Sequence, residues 1–311
     1  MCGEDITRAV LRVLNGDERP EEINSTFIVL IPKVPNPTLM WQFRPISLCN
    51  VIYKIISKAL ANRLKYVLSE IISKEQSAFV PGRIISDNII SAYECLHFIR
   101  TNCTKQNGYC PLKLDMSKAY DRIEWTYLSA IMERLGFGRR WIDLIMKCVT
   151  TVSFSILFNG EKLEKFKPSR GIRQGDPISP YLFLLCAEGL SCLLNNSREH
   201  DMGIIVAKNA LKINHLFFAD DSILFFKARA NVAEGVQPML ADYCNASGQR
   251  INYDKSSIFF SKKCSENSKE QVKQKVNVHD EALTERYLGL PTDVGRSKKW
   301  GLQIFKKSSM E

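Results

Sequence analysis

Three aspartates carry the chemistry that this sequence suggests first. Asp220 and Asp221 are adjacent within HLFFADDSILFF, and Asp115 follows the apolar run PLKL. Because an unpaired buried charge is costly and two adjacent like charges are worse, the pair needs a compensating partner. Carboxylate oxygens are the ligands that Mg²⁺ prefers, and two such ions about 4 Å apart promote phosphoryl transfer. If neighbouring strands bring the three carboxylates together, they form a candidate site for metal-assisted nucleotidyl transfer.

A purely structural interpretation of the Asp pair stays open at this point. Aspartate is common in tight turns, and an isolated Asp-Asp dipeptide is usually no more than a turn. Aromatic residues on both sides make Asp220 and Asp221 unusual without deciding the question.

Composition and charge narrow the class of partner. The chain has 311 residues, of which 45% are hydrophobic and 24% charged, as is typical of a soluble globular protein with about two domain-sized lobes. The net charge of +10 favours a polyanion, nucleic acid or an anionic membrane, although a basic surface that serves solubility is an equal alternative. No apolar stretch reaches the roughly 18 residues of a membrane span, and the first 20 residues lack the basic and apolar regions typical of a signal peptide. We therefore expect an intracellular protein, nuclear or cytoplasmic, without a membrane partner.

The periodicity of apolar residues predicts an α+β fold in which antiparallel hairpins are backed by helices. Strands are expected at residues 25–33 and 111–116 and on both sides of the Asp pair, with a strand-rich segment at 251–261. The main helices are expected at residues 6–14, 48–73, 87–100, 117–137, 181–194 and 232–246. Regular βαβ alternation is absent, as are the glycine-rich phosphate loops of nucleotide-binding folds.

Seven sequence blocks occur in one order around these aspartates. They are FRPISLCNVIYKIISKALANRL, QSAFVPGRIISDNI, LKLDMSKAYDRIEW, SRGIRQGDPISPYLF, HLFFADD, INYDKS and YLGLP. Together they resemble the reverse transcriptase domain of LINE-type non-LTR retrotransposons, most closely the kind found in plants. The resemblance implies a right-hand polymerase fold over residues 13–291. Its fingers would span about 1–105 and its palm about 106–291, including a hairpin and loop at 151–175, with the start of a truncated thumb at 292–311.

The resemblance also assigns catalytic roles. Asp115, Asp220 and Asp221 would hold two Mg²⁺ ions, or Mn²⁺, with help from the backbone carbonyl of Met116. Asp220 is expected to be the stronger ligand of the pair. Lys255 matches a lysine near the leaving pyrophosphate, where it would act as general acid, and an ordinary surface lysine is an equal alternative.

Four residues match the nucleotide pocket of the family. Arg44 would grip the triphosphate of the incoming nucleotide, for which a guanidinium is well suited. Tyr120 matches the steric gate that excludes a ribose 2′-OH, and core packing is compatible with that role. Gln174 and Gly175 would line the pocket, although an isolated glycine before Pro177 would be interpreted as a turn residue.

Template and primer contacts are assigned to two further blocks. Gln76 and Arg83 match a block that contacts the template near the junction of fingers and palm. Tyr287, Leu288 and Gly289 match the primer grip. Asp121 also fits the family pattern, but we interpret it as a helix-start or salt-bridge residue.

The resemblance implies an RNA-directed DNA polymerase that uses an RNA template, a DNA primer and dNTPs. We expect it to be part of a retroelement polyprotein whose endonuclease and RNase H lie outside this chain. With little thumb before Glu311, we expect weak template–primer affinity. The alternative is a catalytically silent remnant that only binds nucleic acid. The FADD, SLCN and YLGLP blocks disfavour an intron-encoded or telomeric reverse transcriptase, and Tyr120 disfavours an RNA-templated RNA polymerase.

Overall fold

The computed structural model describes residues 3–18, 20–102, 108–197, 201–281 and residue 288. These residues form eight α-helices, α1 (Gly3–Asn15), α2 (Val51–Ile71), α3 (Ile85–Asn102), α4 (Trp125–Arg134), α5 (Arg139–Thr150), α6 (Ser179–Asn195), α7 (Ala230–Ser247) and α8 (Glu266–Val276). They also form eight strands, β1 (Ser25–Pro32), β2 (Phe43–Cys49), β3 (Tyr109–Leu114), β4 (Ser153–Phe158), β5 (Glu161–Lys162), β6 (His215–Phe218), β7 (Asp221–Lys227) and β8 (Ser257–Ile258). The predicted α+β class is confirmed.

The first sheet has the strand order β2-β1-β4-β5. β1 pairs antiparallel with β2 and parallel with β4. The residues at 151–175, which we assigned to the palm, thus contribute β4 and β5 to the sheet of β1 and β2. The division into fingers and palm stays a prediction, and its proposed thumb segment at 292–311 lies outside the described residues.

The second sheet has the order β6-β7-β3-β8, and every strand pair in it is antiparallel. Its faces explain the continuous apolar run of β7. Leu224 and Phe226 pack on the side of α7 and α8, whereas Ile223 and Phe225 pack on the side of α3. Because both faces are covered, the strand is continuously apolar from Ile223 to Phe226 rather than alternating. The sheet is therefore a rigid support for whatever lies at its ends.

The observed elements differ from the predicted ones at several places. No strand was predicted at residues 43–49, which form β2. The helix predicted from residue 48 begins only at Val51, where the Asn50 side chain accepts a hydrogen bond from the N–H of Ile52 at 2.9 Å. The strand-rich segment at 251–261 contributes only the two residues of β8, and α8 was not predicted.

The helix predicted at 117–137 is shortened to α4 for an identifiable reason. Several backbone groups of residues 117–123 bond to loops that are distant in the sequence. The carbonyls of Tyr120 and Ile123 accept from the N–H groups of Ile172 and Gly171, and the N–H of Ser117 donates to the carbonyl of Arg250. These tertiary bonds satisfy the backbone as well as a helix would.

Among the described helices, none has both the length and the apolar composition needed to cross a bilayer.

His215, at the start of β6, is fully buried. Its Nε2 lies 2.8 Å from Ser191 Oγ and its Nδ1 lies 2.8 Å from Asn214 Oδ1. Burial disfavours the charged imidazolium and lowers the pKa of His215 to about 3. As the pH falls below the ordinary histidine pKa of about 6.5, this histidine binds a proton in the unfolded chain but stays neutral in the folded protein. Stability should therefore be lost over the window from about pH 6.5 down to about pH 3.

We expect His215→Gln to reduce the loss of stability on acidification. Between pH 6.5 and pH 4.5 the wild-type protein should lose up to about 1.4 kcal/mol per pH unit more than the variant. Urea unfolding at several pH values measures the difference. His279→Gln, at an exposed position, serves as the control and should follow the wild type. Parallel stability curves for wild type and His215→Gln would contradict the assignment.

Candidate active site

The turn between β6 and β7 carries the aspartate pair. Phe218 pairs with Asp221, so that Ala219 and Asp220 form a two-residue hairpin turn. Ala219 has a φ of +53°, a region in which glycine is normally found. Holding an alanine there costs on the order of 1 kcal/mol, and surrounding contacts must maintain it.

The neighbouring strand β3 brings Asp115 to the same end of the second sheet. Leu114 pairs with Ser222, and continuing this register by one residue sets Asp115 opposite Asp221. The backbone of Asp115 is fixed on its other side, because its N–H donates to Ser256 Oγ at 3.1 Å and its carbonyl accepts from the N–H of Asn252 at 2.8 Å. The structure thus brings together the three predicted aspartates, and it pairs the next residue, Met116, with Ile251.

The three carboxylates influence one another electrostatically. Burial raises the pKa of Asp115, an effect that the Lys255 charge opposes and the Asp220 charge reinforces. Burial also raises the pKa of Asp221, and Asp220 and Asp115 add to it. Within the described part of the chain, no three Asp, Glu, His or Cys side chains are already gathered as a metal-binding cluster. The arrangement is therefore a set of mutually repelling oxygen donors, and this donor chemistry suits divalent cations.

Lys255 lies in an exposed turn beside Asp115. Its backbone N–H donates to the carbonyl of Asn252 at 3.2 Å, and its charge lowers the pKa of Asp115. Lys255 is therefore within electrostatic reach of the carboxylates, and its role as general acid stays a prediction.

Tyr120 combines core packing with proximity to the aspartates. Its ring stacks on Phe183 of α6, with 5.2 Å between centroids and 2° between planes. Burial raises the pKa of Tyr120 to about 12, and the nearby charge of Asp220 contributes in the same direction. Phe183, which fixes the plane of this ring, was not identified from the sequence.

The remaining predicted nucleotide contacts gather along β2. The N–H of Ser47 donates to the carbonyl of Gln174 at 2.8 Å. Gly175 has a φ of +102°, and a Cβ at that position would lie 3.1 Å from the carbonyl oxygen of Ser47. Arg44 is exposed on the same strand, three residues before Ser47. The glycine is therefore required by the close approach of the two backbones.

A buried ion pair holds the loop that carries Gln174 and Gly175. Arg173 Nη2 lies 2.8 Å from Asp176 Oδ2, and the two side chains are 4% and 2% exposed. Tyr53 donates its hydroxyl to Asp176 at 3.0 Å, and its ring lies beneath the Arg173 guanidinium at 4.0 Å. Ser57 also donates to Asp176. Sequence reasoning missed these partners, because only the Arg-x-x-Asp spacing within RQGD signals them.

Gln76 and Arg83 both bond backbone groups close to the aspartate turn. Gln76 is only 2% exposed, and its Oε1 accepts from the N–H of Ala78 at 3.0 Å and of Ala219 at 3.1 Å. The side chain is thus buried against the aspartate turn, and its template contact stays a prediction. The Arg83 guanidinium donates to the carbonyls of Ile72, Ser73 and Gln76. It organises the same loop, and a template contact by Arg83 stays a prediction.

Two further predictions have mixed outcomes. Of the proposed primer grip, Leu288 packs against the cluster of α3 and β7, whereas Tyr287 and Gly289 lie outside the described residues. Asp121 was interpreted as a helix-start or salt-bridge residue. Because α4 begins only at Trp125 and Asp121 lies in the preceding turn, it does not start this helix.

Two proteins of transposable elements are similar in sequence to this chain. The chain is 32% identical over 255 residues to the transposon TX1 uncharacterized 149 kDa protein of Xenopus laevis, covering 82% of this chain and 19% of that protein. It is 29% identical over 244 residues to the retrovirus-related Pol polyprotein from the type-2 retrotransposable element R2DM of Drosophila melanogaster, covering 76% and 21%. The chain thus spans about a fifth of the length of these two relatives.

Solved structures share the fold at low sequence identity. Telomerase from Candida tropicalis, in complex with a fragment of telomeric RNA, superposes with a TM-score of 0.52 at 13% identity, over 77% of this chain and 41% of that one. Telomerase from Candida albicans gives 0.52 at 14% identity, over 79% and 42%. These similarities confirm the predicted right-hand polymerase fold. The family described as "Reverse transcriptase (RNA-dependent DNA polymerase)" matches residues 31–292, most of the chain, which therefore belongs to the reverse transcriptase family.

Proposed function

We propose that the chain is the polymerase part of a larger retroelement protein and copies RNA into DNA. It would add dNTPs to a primer 3′-OH. The observation that carries the proposal is the meeting of Asp115 with Asp220 and Asp221 at one end of the second sheet, in a chain of the reverse transcriptase family.

The three aspartates would hold two divalent cations, Mg²⁺ or Mn²⁺, with the backbone carbonyl of Met116 as a further oxygen donor. When bound, such cations activate a primer hydroxyl and neutralise the departing pyrophosphate. The chain's own contribution is to keep the oxygen donors in place on two hydrogen-bonded strands. Lys255, whose charge acts on Asp115, would donate a proton toward the pyrophosphate.

Separate groups of residues are proposed to contact the incoming nucleotide and the nucleic acid. The exposed Arg44 would bind the triphosphate, and the Tyr120 ring, held flat against Phe183, would exclude a ribose 2′-OH. Gln174 and Gly175 would line the pocket from the loop that the buried ion pair supports. The net charge of +10 suits an RNA template and a DNA primer, with Tyr287, Leu288 and Gly289 as the primer grip.

The larger protein is proposed to be a non-LTR retrotransposon polyprotein that also carries an endonuclease and RNase H. The length of the relatives supports a polyprotein. A plant source is supported by a mitochondrial protein of Arabidopsis thaliana that is 52% identical over 73 residues, which is 22% of this chain. The proposed site of action is inside the cell, in the nucleus or cytoplasm.

Primer extension on poly(rA)/oligo(dT) tests the function. We expect incorporation of dTTP that requires Mg²⁺ or Mn²⁺. It should stop when a chelator removes the metal or when Asp220→Ala removes a proposed metal ligand. Incorporation that survives Asp220→Ala would refute the assignment. Equal use of ribonucleotides would instead point to an RNA polymerase and against the role of Tyr120.

The second candidate is a catalytically silent protein that binds nucleic acid. It is favoured by the positive net charge of the chain. It predicts RNA binding that weakens with salt and no extension at any protein concentration. Extension by the purified chain would exclude it.

A further inference from the structure

Residues 75–77 lie along the outer edge of β6 and extend the second sheet. Gln76 forms a parallel bridge with Phe217. The N–H of Phe217 donates to the carbonyl of Glu75 at 2.8 Å, and the carbonyl of Phe217 accepts from the N–H of Ser77 at 3.1 Å. The loop that follows α2 is thereby fixed in register with the strand that leads into Asp220.

The Gln76 side chain extends this contact to the turn itself. Its Oε1 accepts a hydrogen bond from the N–H of Ala219 at 3.1 Å, and Ala219 directly precedes Asp220. Ala219 is also the residue held at a φ of +53°. Because such a conformation persists only where surrounding contacts over-determine it, this hydrogen bond is well placed to maintain the turn.

The loop that presents Gln76 is held from two sides. The Arg83 guanidinium donates to the carbonyls of Ser73 and Gln76. On the other side, the buried carboxylate of Glu188 in α6 accepts from the N–H of Ser73 at 2.9 Å and from its hydroxyl. Gln76 is therefore an acceptor fixed to the protein core rather than a mobile side chain.

The Nε2 atom of the Gln76 amide makes no contribution to holding the turn, in contrast to Oε1. Nε2 is buried and has no hydrogen-bond partner within the described residues. An unsatisfied buried donor is unfavourable, so the glutamine is not there for stability alone. The observed contacts use only the Oε1 acceptor, which bonds the N–H groups of Ala78 and Ala219.

We infer that Gln76 is a positioning residue that aligns Asp220 and Asp221 with Asp115 by holding the N–H of Ala219. It acts through the backbone of the turn and touches neither substrate nor reacting atoms. The inference rests on the proposed polymerase function for its catalytic consequence, but the contact with the turn can be tested without activity.

Hydrogen exchange of the intact chain tests the contact directly. In Gln76→Met, a nearly isosteric side chain without the acceptor, we expect protection of the Ala219 amide, read from a peptide covering 215–222, to fall about tenfold. Protection in residues 109–114 of β3 should stay unchanged, which separates a local effect from unfolding. Gln76→Glu keeps an acceptor at the same position and should retain most of the protection. Unchanged protection in Gln76→Met would overturn the inference.

Gln249→Met is the matched control. Gln249 is likewise a buried glutamine with one side-chain atom unpaired. Its Nε2 donates to the carbonyl of Ala119 at 2.7 Å, and its Oε1 has no partner in the described chain. The substitution removes a comparable bond but leaves the Ala219 contact in place, so peptide 215–222 should exchange as in the wild type. Equal loss of protection in both variants would show a general effect of core substitution and would overturn the inference.

Steady-state kinetics then read the catalytic consequence. For Gln76→Met we expect kcat to fall about tenfold to a hundredfold with little change in the KM for dNTP, because alignment of the catalytic group is lost rather than substrate binding. Gln76→Glu should recover part of kcat. Lower protection with unchanged kcat would overturn the positioning role. If the wild type does not polymerise but Gln76→Met still lowers protection, the proposed function is wrong and the contact between Gln76 and the turn is confirmed.

Discussion

Asp221→Asn is expected to abolish nucleotide incorporation while making the metal-free protein more stable. Asp221 is partly buried and repelled by Asp220 and Asp115, and these effects raise its pKa. Removing the charge should raise the free energy of unfolding by on the order of 1 kcal/mol, after allowance for solvent screening. Replacing a charged carboxylate by a neutral amide should weaken metal binding and lower the rate about a thousandfold or more. Primer extension and urea unfolding in the presence of a chelator measure the two effects.

Asp242→Asn provides the control for this pair of effects. Asp242 is an exposed carboxylate on α7 and lies outside the aspartate site, so its substitution should change stability by less than about 0.5 kcal/mol and leave incorporation intact. If Asp221→Asn lowers stability instead, the three carboxylates are not held against mutual repulsion, and the electrostatic account of the site is wrong.

Breaking the Arg173–Asp176 pair is expected to have the largest effect on stability. Asp176→Asn would leave the Arg173 guanidinium, which is 4% exposed, without its counter-charge and would weaken the bonds from Tyr53 and Ser57. A buried charge left unpaired in this way typically costs about 3–5 kcal/mol. Equilibrium unfolding in urea, with an unchanged slope, would report the loss.

Replacing both members of the pair separates the ion pair from the packing around it. Arg173→Met combined with Asp176→Leu removes both charges, and it should be less destabilising than Asp176→Asn alone by about 2 kcal/mol. Arg139→Met, at an exposed i,i+4 pair with Asp143, is the control and should cost less than about 1 kcal/mol. A double variant that is no better than Asp176→Asn would show that the lost hydrogen bonds of Tyr53 and Ser57 dominate.

Local patterns predicted the elements that carry the aspartates. The apolar runs on either side of Asp220 and Asp221 and the run before Asp115 were sufficient to predict β6, β7 and β3, because each strand is defined by its own residues. The contacts that support the site were not predicted. Gln76 and Ala219 are 143 positions apart, and Tyr53 and Asp176 are 123 apart. No periodicity reports which side chains meet across such separations.

The same limit applies to the interpretation of polar residues near the site. Template contacts were assigned to Gln76 and Arg83 from the resemblance to a known family. In the structure, the Gln76 acceptor Oε1 and the Arg83 guanidinium bond backbone groups of a buried turn and of the end of α2. The sequence of the loop at 117–124 likewise predicts a helix. In the structure, the carbonyls of Tyr120 and Ile123 accept hydrogen bonds from residues 171–172 instead.

Because β1 pairs with β4, the first sheet is completed only after a strand of the second sheet has occurred in the sequence. β3, at the centre of the second sheet, is synthesised between β2 and β4, which both belong to the first. During translation, the β1–β2 hairpin must wait about a hundred residues for β4 to emerge before its edge is covered. Neither sheet corresponds to a contiguous stretch of coding sequence. Recombination therefore cannot exchange one sheet as a cassette without cutting through the other, and the two must be inherited together.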